Sequence, residues 1–418
     1  MLTFIITLIK LIIILGVVAT IHEFGHFLAS KLCKIGVNEF SIGFGPKIIQ
    51  KKYKGTMYSL RCIPLGGYCA IEGEEGTSDR EDSFEKKNVF QKIFVLIMGV
   101  TFNALLALII FMGVAFSSPT ATTQIKELPE VSILRDAGIQ EGDTITAING
   151  KRIKTASELL SLDLTELDSN DLEIEYERDN QTYTTLVKDA VQDVGYIGIT
   201  FVTAENGVDV TNQIEIVAAG GVASNSGLKA HDTIIAINGE ETKNSTDVKR
   251  ITSQNAGKEI EYTIDRNGEI LTFNLVPESK KEFNLDFSVE VVDTNLTYAW
   301  ANTKNNVSTI IKSYVDLFRG KVQVDQMSGI VGIGEVVSTT RGVLEFLNLM
   351  AIISLAVGVA NILPFPPLDG GKVVIVIGEA ITRKKLPENA EAIISYIGLG
   401  LLLLLTIFIT YKDIIRIL

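Results

Sequence analysis

The chain has 418 residues, a formal net charge of −12 and a mean hydropathy of +0.28. Its apolar residues are gathered into blocks, which excludes a wholly soluble single domain, and no nucleic-acid partner is expected of so acidic a chain. The three cysteines, Cys33, Cys62 and Cys69, all precede residue 70 and show no CxxC spacing, which argues for reduced thiols and against a disulfide framework.

Residues 2–21 are almost wholly apolar, long enough at ~1.5 Å per residue to cross a ~30 Å hydrocarbon core. Lys10 within them reads as a snorkelling side chain or one turned to a polar cavity. His22-Glu23-Phe24-Gly25-His26 follows directly. On a helix, residues four apart share a face, so both imidazoles can ligate one zinc while Glu23, one residue along, serves as base to a water. The plainer reading is a pair of polar residues facing a neighbour. Against it, the chain has only three histidines, and two imidazoles and a carboxylate at membrane depth are costly unless they share a task.

Residues 35–72 predict short strands separated by Gly43-Phe44-Gly45-Pro46, Lys54-Gly55 and Ile63-Pro64-Leu65-Gly66-Gly67. Such strands could hold a substrate by strand addition, or form a plain meander. Seven basic residues and one acidic residue lie between Lys31 and Arg61, which places this loop in the cytoplasm by the positive-inside rule. Residues 72–87 are polar, and 93–116 predict a second span.

From Ser118 to Leu344 there are 20 basic and 35 acidic residues, a region expected outside the cytoplasm. It contains a repeat: Ala137-Gly-Ile-Gln-Glu-Gly-Asp143-Thr-Ile-Thr-Ala-Ile-Asn149-Gly150 returns 89 residues later as Ser226-Gly-Leu-Lys-Ala-His231-Asp232-Thr-Ile-Ile-Ala-Ile-Asn238-Gly239. From Thr297 to Phe318 apolar residues recur at helical spacing, with Trp300 near the start, which predicts a helix lying in the membrane interface or packed on the repeats. Further apolar blocks at about 346–366 and 393–410 predict two more spans, with the basic Arg383-Lys384-Lys385 between them.

A catalytic zinc takes three protein ligands, so the two histidines need a partner. His231 sits where the first repeat has Gly142, in a surface turn, and is excluded. Asp369, in Asn361-Ile-Leu-Pro-Phe-Pro-Pro-Leu-Asp-Gly-Gly371, is the best candidate, since Pro364, Pro366 and Pro367 break the helix and would turn the carboxylate inward. The other reading makes Asp369 a helix cap.

These residues together resemble the site-2 protease family of intramembrane zinc metalloproteases, most closely the bacterial regulator of sigma-E protease type. The likeness is carried by the HEFGH stretch, Phe40-Ser-Ile-Gly-Phe-Gly-Pro46, Ile63-Pro-Leu-Gly-Gly-Tyr68, Ser328-Gly-Ile-Val-Gly-Ile333 and Asn361 through Gly370, in family order. The repeats are similar to tandem bacterial PDZ domains, and Tyr196-Ile197-Gly198-Ile199 resembles their carboxylate-binding loop, though it also reads as a strand start.

The resemblance implies a polytopic α-helical membrane protein with four transmembrane helices, a membrane-reentrant β-sheet and two extracytoplasmic α+β PDZ domains. Its parts would be a first span over 1–30, the reentrant region and linker at 31–92, a second span at 93–117, PDZ domains at 122–193 and 194–290, an interfacial helical region at 297–340, a third span carrying the Leu-Asp-Gly at 343–371, a cytoplasmic loop at 372–392 and a fourth span at 393–411. It further implies Zn2+ held by His22, His26 and Asp369, with Glu23 as general base and Asn361 at the substrate or oxyanion.

The implied substrates are single-span membrane proteins of the anti-sigma-factor type, cut within the bilayer after a first exported cleavage, with PDZ domains that exclude intact substrates or bind peptide C-termini. Two motifs depart from the family pattern: Met98-Gly99-Val100 ahead of Asn103 stands for Ala-Gly-Pro, and Ile330 stands for a proline. Two other classes, an idle membrane scaffold and a metal-ion transporter, are disfavoured by the intact Glu23 and Asp369 and by the lack of an acidic path across the spans.

Overall fold

A computed structural model of the chain describes residues 2–417 except 75, 77, 166, 168, 204–209, 322–328 and 385. Ser328, one residue of the resemblance, and Lys385 therefore lie outside the described residues. Two compact units emerge, one of residues 1–117, 306–315 and 330–408, the other of 118–305, 316–329 and 409–418.

The first unit is built on helices long and apolar enough to cross a membrane: α1 (Leu2–Leu32), α2 (Val89–Phe116) and the helices Val343–Asn361 and Glu388–Ile417, which supply the third and fourth spans. α1 does not stop at residue 21. It runs on through HEFGH to Leu32, because none of residues 22–32 is a proline or a capping break. Asn88 opens α2 with a capping box, its side chain accepting from Gln91 N while the Gln91 side chain accepts from Asn88 N. Lys10 finds a polar partner within the fold: its ammonium donates to the backbone oxygen and hydroxyl of Thr340 at 2.8 and 2.9 Å, at the carbonyl end of the helix Ile330–Thr339. That helix packs Val337 and Ile333 against Ile14 and Val18 of α1.

The third span is shorter than its apolar block. It ends at Asn361, and the Pro-rich segment is a loop leading into a separate helix, Asp369–Thr382, within what the sequence reading places in the third span and a cytoplasmic loop. Glycines make the loop possible. A Cβ on Gly370 would lie 2.5 Å from Leu363 O, one on Gly371 2.5 Å from Phe365 C, and one on Gly398 of the fourth span 2.8 Å from Pro366 C.

Strands β1 (Val37–Tyr53) and β2 (Thr56–Ile71) are longer than the predicted short strands and fold back on themselves. Residues 39–42 pair on one side with 67–70 and on the other with 57–60, which in turn pair with 49–52. Three short ladders thus join four strand segments into a curled sheet with residues 67–70 at an edge. Gly43 at φ +85 and Gly45 at φ +79 supply the bend. Across it Arg61 reaches Glu39 at 2.8 Å and the Ser41 hydroxyl at 3.0 Å. Burial pushes the Glu39 carboxyl up, but hydrogen bonds from Ser59, Arg61 and Tyr68 win and hold it at about 2.

The second unit contains the sequence repeat as two similar modules, and the paired geometry explains the repeated residues. Asp143 accepts from Gln140 N at 2.7 Å and from Arg178, which also donates to Gly138 O. Asp232 accepts from Lys229 N at 2.8 Å and from Arg266, which also donates to Gly227 O. Each carboxylate locks a helical turn to a strand. Asn149-Gly150 and Asn238-Gly239 make left-handed turns, and each Asn oxygen accepts a strand N–H, from Glu173 and Glu261.

Replacing Asp232 by Ala leaves the partly buried Arg266 unpaired, an expected loss of about 3 kcal/mol to that module. Amide exchange of strand Thr233–Ile237 in the full-length protein should accelerate by about two orders of magnitude. His231 occupies φ +72 where Gly142 takes φ +91. His231→Gly should relieve about 1 kcal/mol and slow exchange in the same strand roughly fivefold.

One boundary differs from the sequence reading. Strand Ser288–Val292, placed there at the end of the second module, pairs with Thr120–Glu127 of the first. The second module is therefore inserted into the first, and the ribbon Val191–Tyr196 with Glu278–Phe283 forms its stem. Strand order follows long-range pairing, which a repeat alone does not report.

The helix Leu296–Phe318 contributes to both units. Early on, Asn305 bonds Ser157 and Ser161 of the first module. Later, Val307 and Ile310 pack on Phe111 and Leu355, and the Tyr314 hydroxyl donates to Ala356 O at 2.8 Å. The packed reading holds for its first half, while the second half meets the second and third spans; Ile311, Val315 and Phe318 remain exposed.

Candidate active site

The site is assembled where α1 crosses α2. Gly25 faces Met98, and a Cβ there would lie 2.7 Å from Met98 C; reciprocally, a Cβ on Gly99 would lie 2.8 Å from His22 Cε1 and closer still to His26 Nε2. Two glycines let the helix backbones touch, and the imidazoles occupy the space that a side chain at residue 99 would fill. Both rings are buried, His22 at 8% and His26 at 7% exposure.

Asp369 joins them from the helix Asp369–Thr382. Its Oδ2 lies 3.0 Å from His22 Nε2 and 3.3 Å from His26 Nε2, and the two nitrogens are 3.2 Å apart. Asp369 stands at the first helical position, but Leu368 is the N-cap and no side-chain cap bond is made, so the capping alternative fails. One turn on, Lys372 donates to Glu74 at 2.6 Å and fastens this helix to the segment after β2.

The donor set fits a cation. His26 Nδ1 lies 2.9 Å from Val95 O, which only accepts, so Nδ1 carries the proton and Nε2 presents a lone pair. Asp369 Oδ2 is buried and has no hydrogen-bond partner among the described residues. Converging acceptors would repel without a positive charge between them. A tetrahedral zinc with bonds of about 2.0–2.1 Å holds its ligand atoms roughly 3.3–3.4 Å apart, close to the separations found. Among the described residues these three form the one cluster with metal-ligand spacing, and His231 is not in it.

Glu23 follows His22 on α1, and its Oε2 accepts the Cys69 N–H at 2.9 Å. Residues 67–70, at the sheet edge, thus lie beside the motif, and Thr20 reaches Gly66 O at 3.5 Å. Asn361 ends the third span eight residues before Asp369, half-buried. Cys69 is half-buried, and its thiol is not among the groups whose ligand atoms converge.

A model of peptidase family M50 matches residues 10–405. The chain belongs to this family. It is an integral membrane zinc metalloprotease of the site-2 protease kind, with four helices apolar enough to span. "Probable protease eep" of Enterococcus faecalis is 30% identical over 98% of this chain and 99% of that one. "Putative zinc metalloprotease NMA0084" of Neisseria meningitidis is 26% identical over 99% of each, and "Putative zinc metalloprotease CA_C1796" of Clostridium acetobutylicum is 27% identical over 97% of this M50 peptidase and 96% of its relative.

Sequence reasoning missed the supports. Val95 acts through a backbone carbonyl, which leaves no mark in a sequence. Gly99 is the one residue of Met98-Gly99-Val100 that keeps the family pattern, and it is the residue that leaves room for the imidazoles.

Proposed function

We propose that this M50 peptidase hydrolyses peptide bonds within the membrane-spanning segment of single-span proteins, of the anti-sigma-factor type after a first cleavage has shortened their exported part. The observation that supports it most is the convergence of His22, His26 and Asp369, two of them on a helix that is itself a span. These three would hold the zinc, with Glu23 as general base and Asn361 as a donor to the developing oxyanion.

Zinc supplies a Lewis acid that polarises the peptide carbonyl and acidifies water. The remaining work falls to the chain. Glu23 takes the proton of the attacking water on its carboxylate and passes it to the leaving amide nitrogen, while Cys69 N–H holds Oε2 in place. A helical substrate hides its carbonyls, so the scissile stretch must be extended. The edge at residues 67–70, part of a membrane-reentrant sheet in this reading, is suited to receive it as an added strand.

The two modules act as PDZ domains outside the cytoplasm, and the basic loop between Lys31 and Arg61 keeps the active site towards the cytoplasmic face of the bilayer. A groove of about 380 Å³ lined by Tyr196, Ile197, Gly198, Phe201 and Val248 in the second module is of a size to take a peptide C-terminus. Purified enzyme in lipid vesicles should cleave a single-span reporter with a short exported tail, at a bond mapped by product mass to the span. Chelation should stop the reaction and zinc restore it. A cut confined to the reporter's soluble parts would contradict the proposal.

A further inference from the structure

We infer that Asn103 is a positioning residue that holds His22 in the tautomer a metal requires, by accepting a hydrogen bond from its Nδ1–H. The inference rests on the reading of His22, His26 and Asp369 as the metal site. Asn103 is wholly buried on α2. Its backbone oxygen accepts the Ser354 hydroxyl at 2.9 Å, and the third span approaches through Gly358, where a Cβ would lie 3.4 Å from Asn103 Cβ. The residue is therefore fixed from one side and faces the site on the other.

The amide nitrogen of Asn103 is 3.4 Å from His22 Nδ1, while its buried Oδ1 has no hydrogen-bond partner among the described residues. A His22 that offers its Nε2 lone pair beside Asp369 carries its proton on Nδ1. An Nδ1–H facing an amide N–H makes no bond. A half-turn of the amide about χ2 presents Oδ1 instead, and because Oδ1 has no partner among the described residues where it now lies, the turn forfeits no bond made there by that oxygen.

The arrangement matches that of the other histidine. Val95, Gly99 and Asn103 recur every four residues and so share one face of α2, antiparallel to the His22 and His26 face of α1. Val95 O accepts from His26, Gly99 leaves room for both rings, and Asn103 stands at His22. One helix face thus sets both tautomers, the role that outer hydrogen-bond partners play for ligating imidazoles.

The test compares full-length wild type, Asn103→Leu and Asn103→Asp in detergent, each checked for a single folded species. Zinc affinity is measured by competition with a graded chelator, and the visible spectrum is recorded after cobalt substitution. Asn103→Leu, near in volume but without an acceptor, should lose about 10- to 100-fold in zinc affinity. Asn103→Asp, which restores an acceptor, should bind within a few-fold of wild type and keep its cobalt bands.

Wild-type affinity in Asn103→Leu, or equal losses in both variants, would overturn the inference. If Asn103→Leu does not fold, the aspartate variant decides alone, a tenfold loss of zinc affinity counting against. A wild type that binds no zinc would instead sink the metal-site reading beneath it.

Discussion

Replacing Glu23 by Gln is expected to lower turnover by about 10²- to 10⁴-fold while leaving one zinc per chain. The change keeps shape and removes the proton acceptor, and Glu23 is not among the three groups whose ligand atoms converge. Its oxygen can still accept the Cys69 N–H, so the sheet edge should stay in place. Asp369→Ala is the informative contrast. It deletes a converging oxygen, so zinc and activity should fall together. Zinc content by mass spectrometry beside initial rates on the same samples separates the two roles: a Glu23→Gln protein that loses its zinc would make Glu23 a ligand, and one that keeps full turnover would remove it from the chemistry.

Gly99→Ala is expected to be as damaging, although the residue has no side chain and no chemistry. The added methyl would sit against His26 Nε2 and 2.8 Å from His22 Nε2, in the space towards which Asp369 also points. Either ring must move or α2 must retreat from α1. A displacement of about 1 Å at a reacting centre costs roughly 10²-fold in rate, and zinc affinity should fall with it. Gly113→Ala, in the same helix at a position with open space around it, is the control and should leave both unchanged. A Gly99→Ala enzyme with wild-type zinc affinity and rate would mean that the two helices do not pack as closely as described.

The parts of this architecture that could be read from sequence are those with a local chemical signature. The HEFGH spacing places two imidazoles on one helix face whatever surrounds them, and Asp369 could be singled out because a lone carboxylate at that depth needs a purpose. The repeat was visible because Asp143 and Asp232, with their Asn-Gly turns, make the same local bonds twice.

What escaped depends on long-range pairing or on backbone atoms. No local pattern shows that residues 39–42 are paired on both sides, or that strand Ser288–Val292 returns to the first module. The Val95 carbonyl is available at any residue, and only the packing of α2 on α1 selects it. Lys10 looked anomalous in an apolar run because its partner, Thr340, lies 330 residues away.

The most direct test of the account is zinc-edge X-ray absorption on the purified full-length protein. One zinc is expected, bound by nitrogen and oxygen alone at about 2.0–2.1 Å, two of the ligands showing imidazole scattering. Sulfur at about 2.3 Å would bring one of the cysteines, Cys69 beside Glu23 first among them, into the site and contradict the assignment of His22, His26 and Asp369.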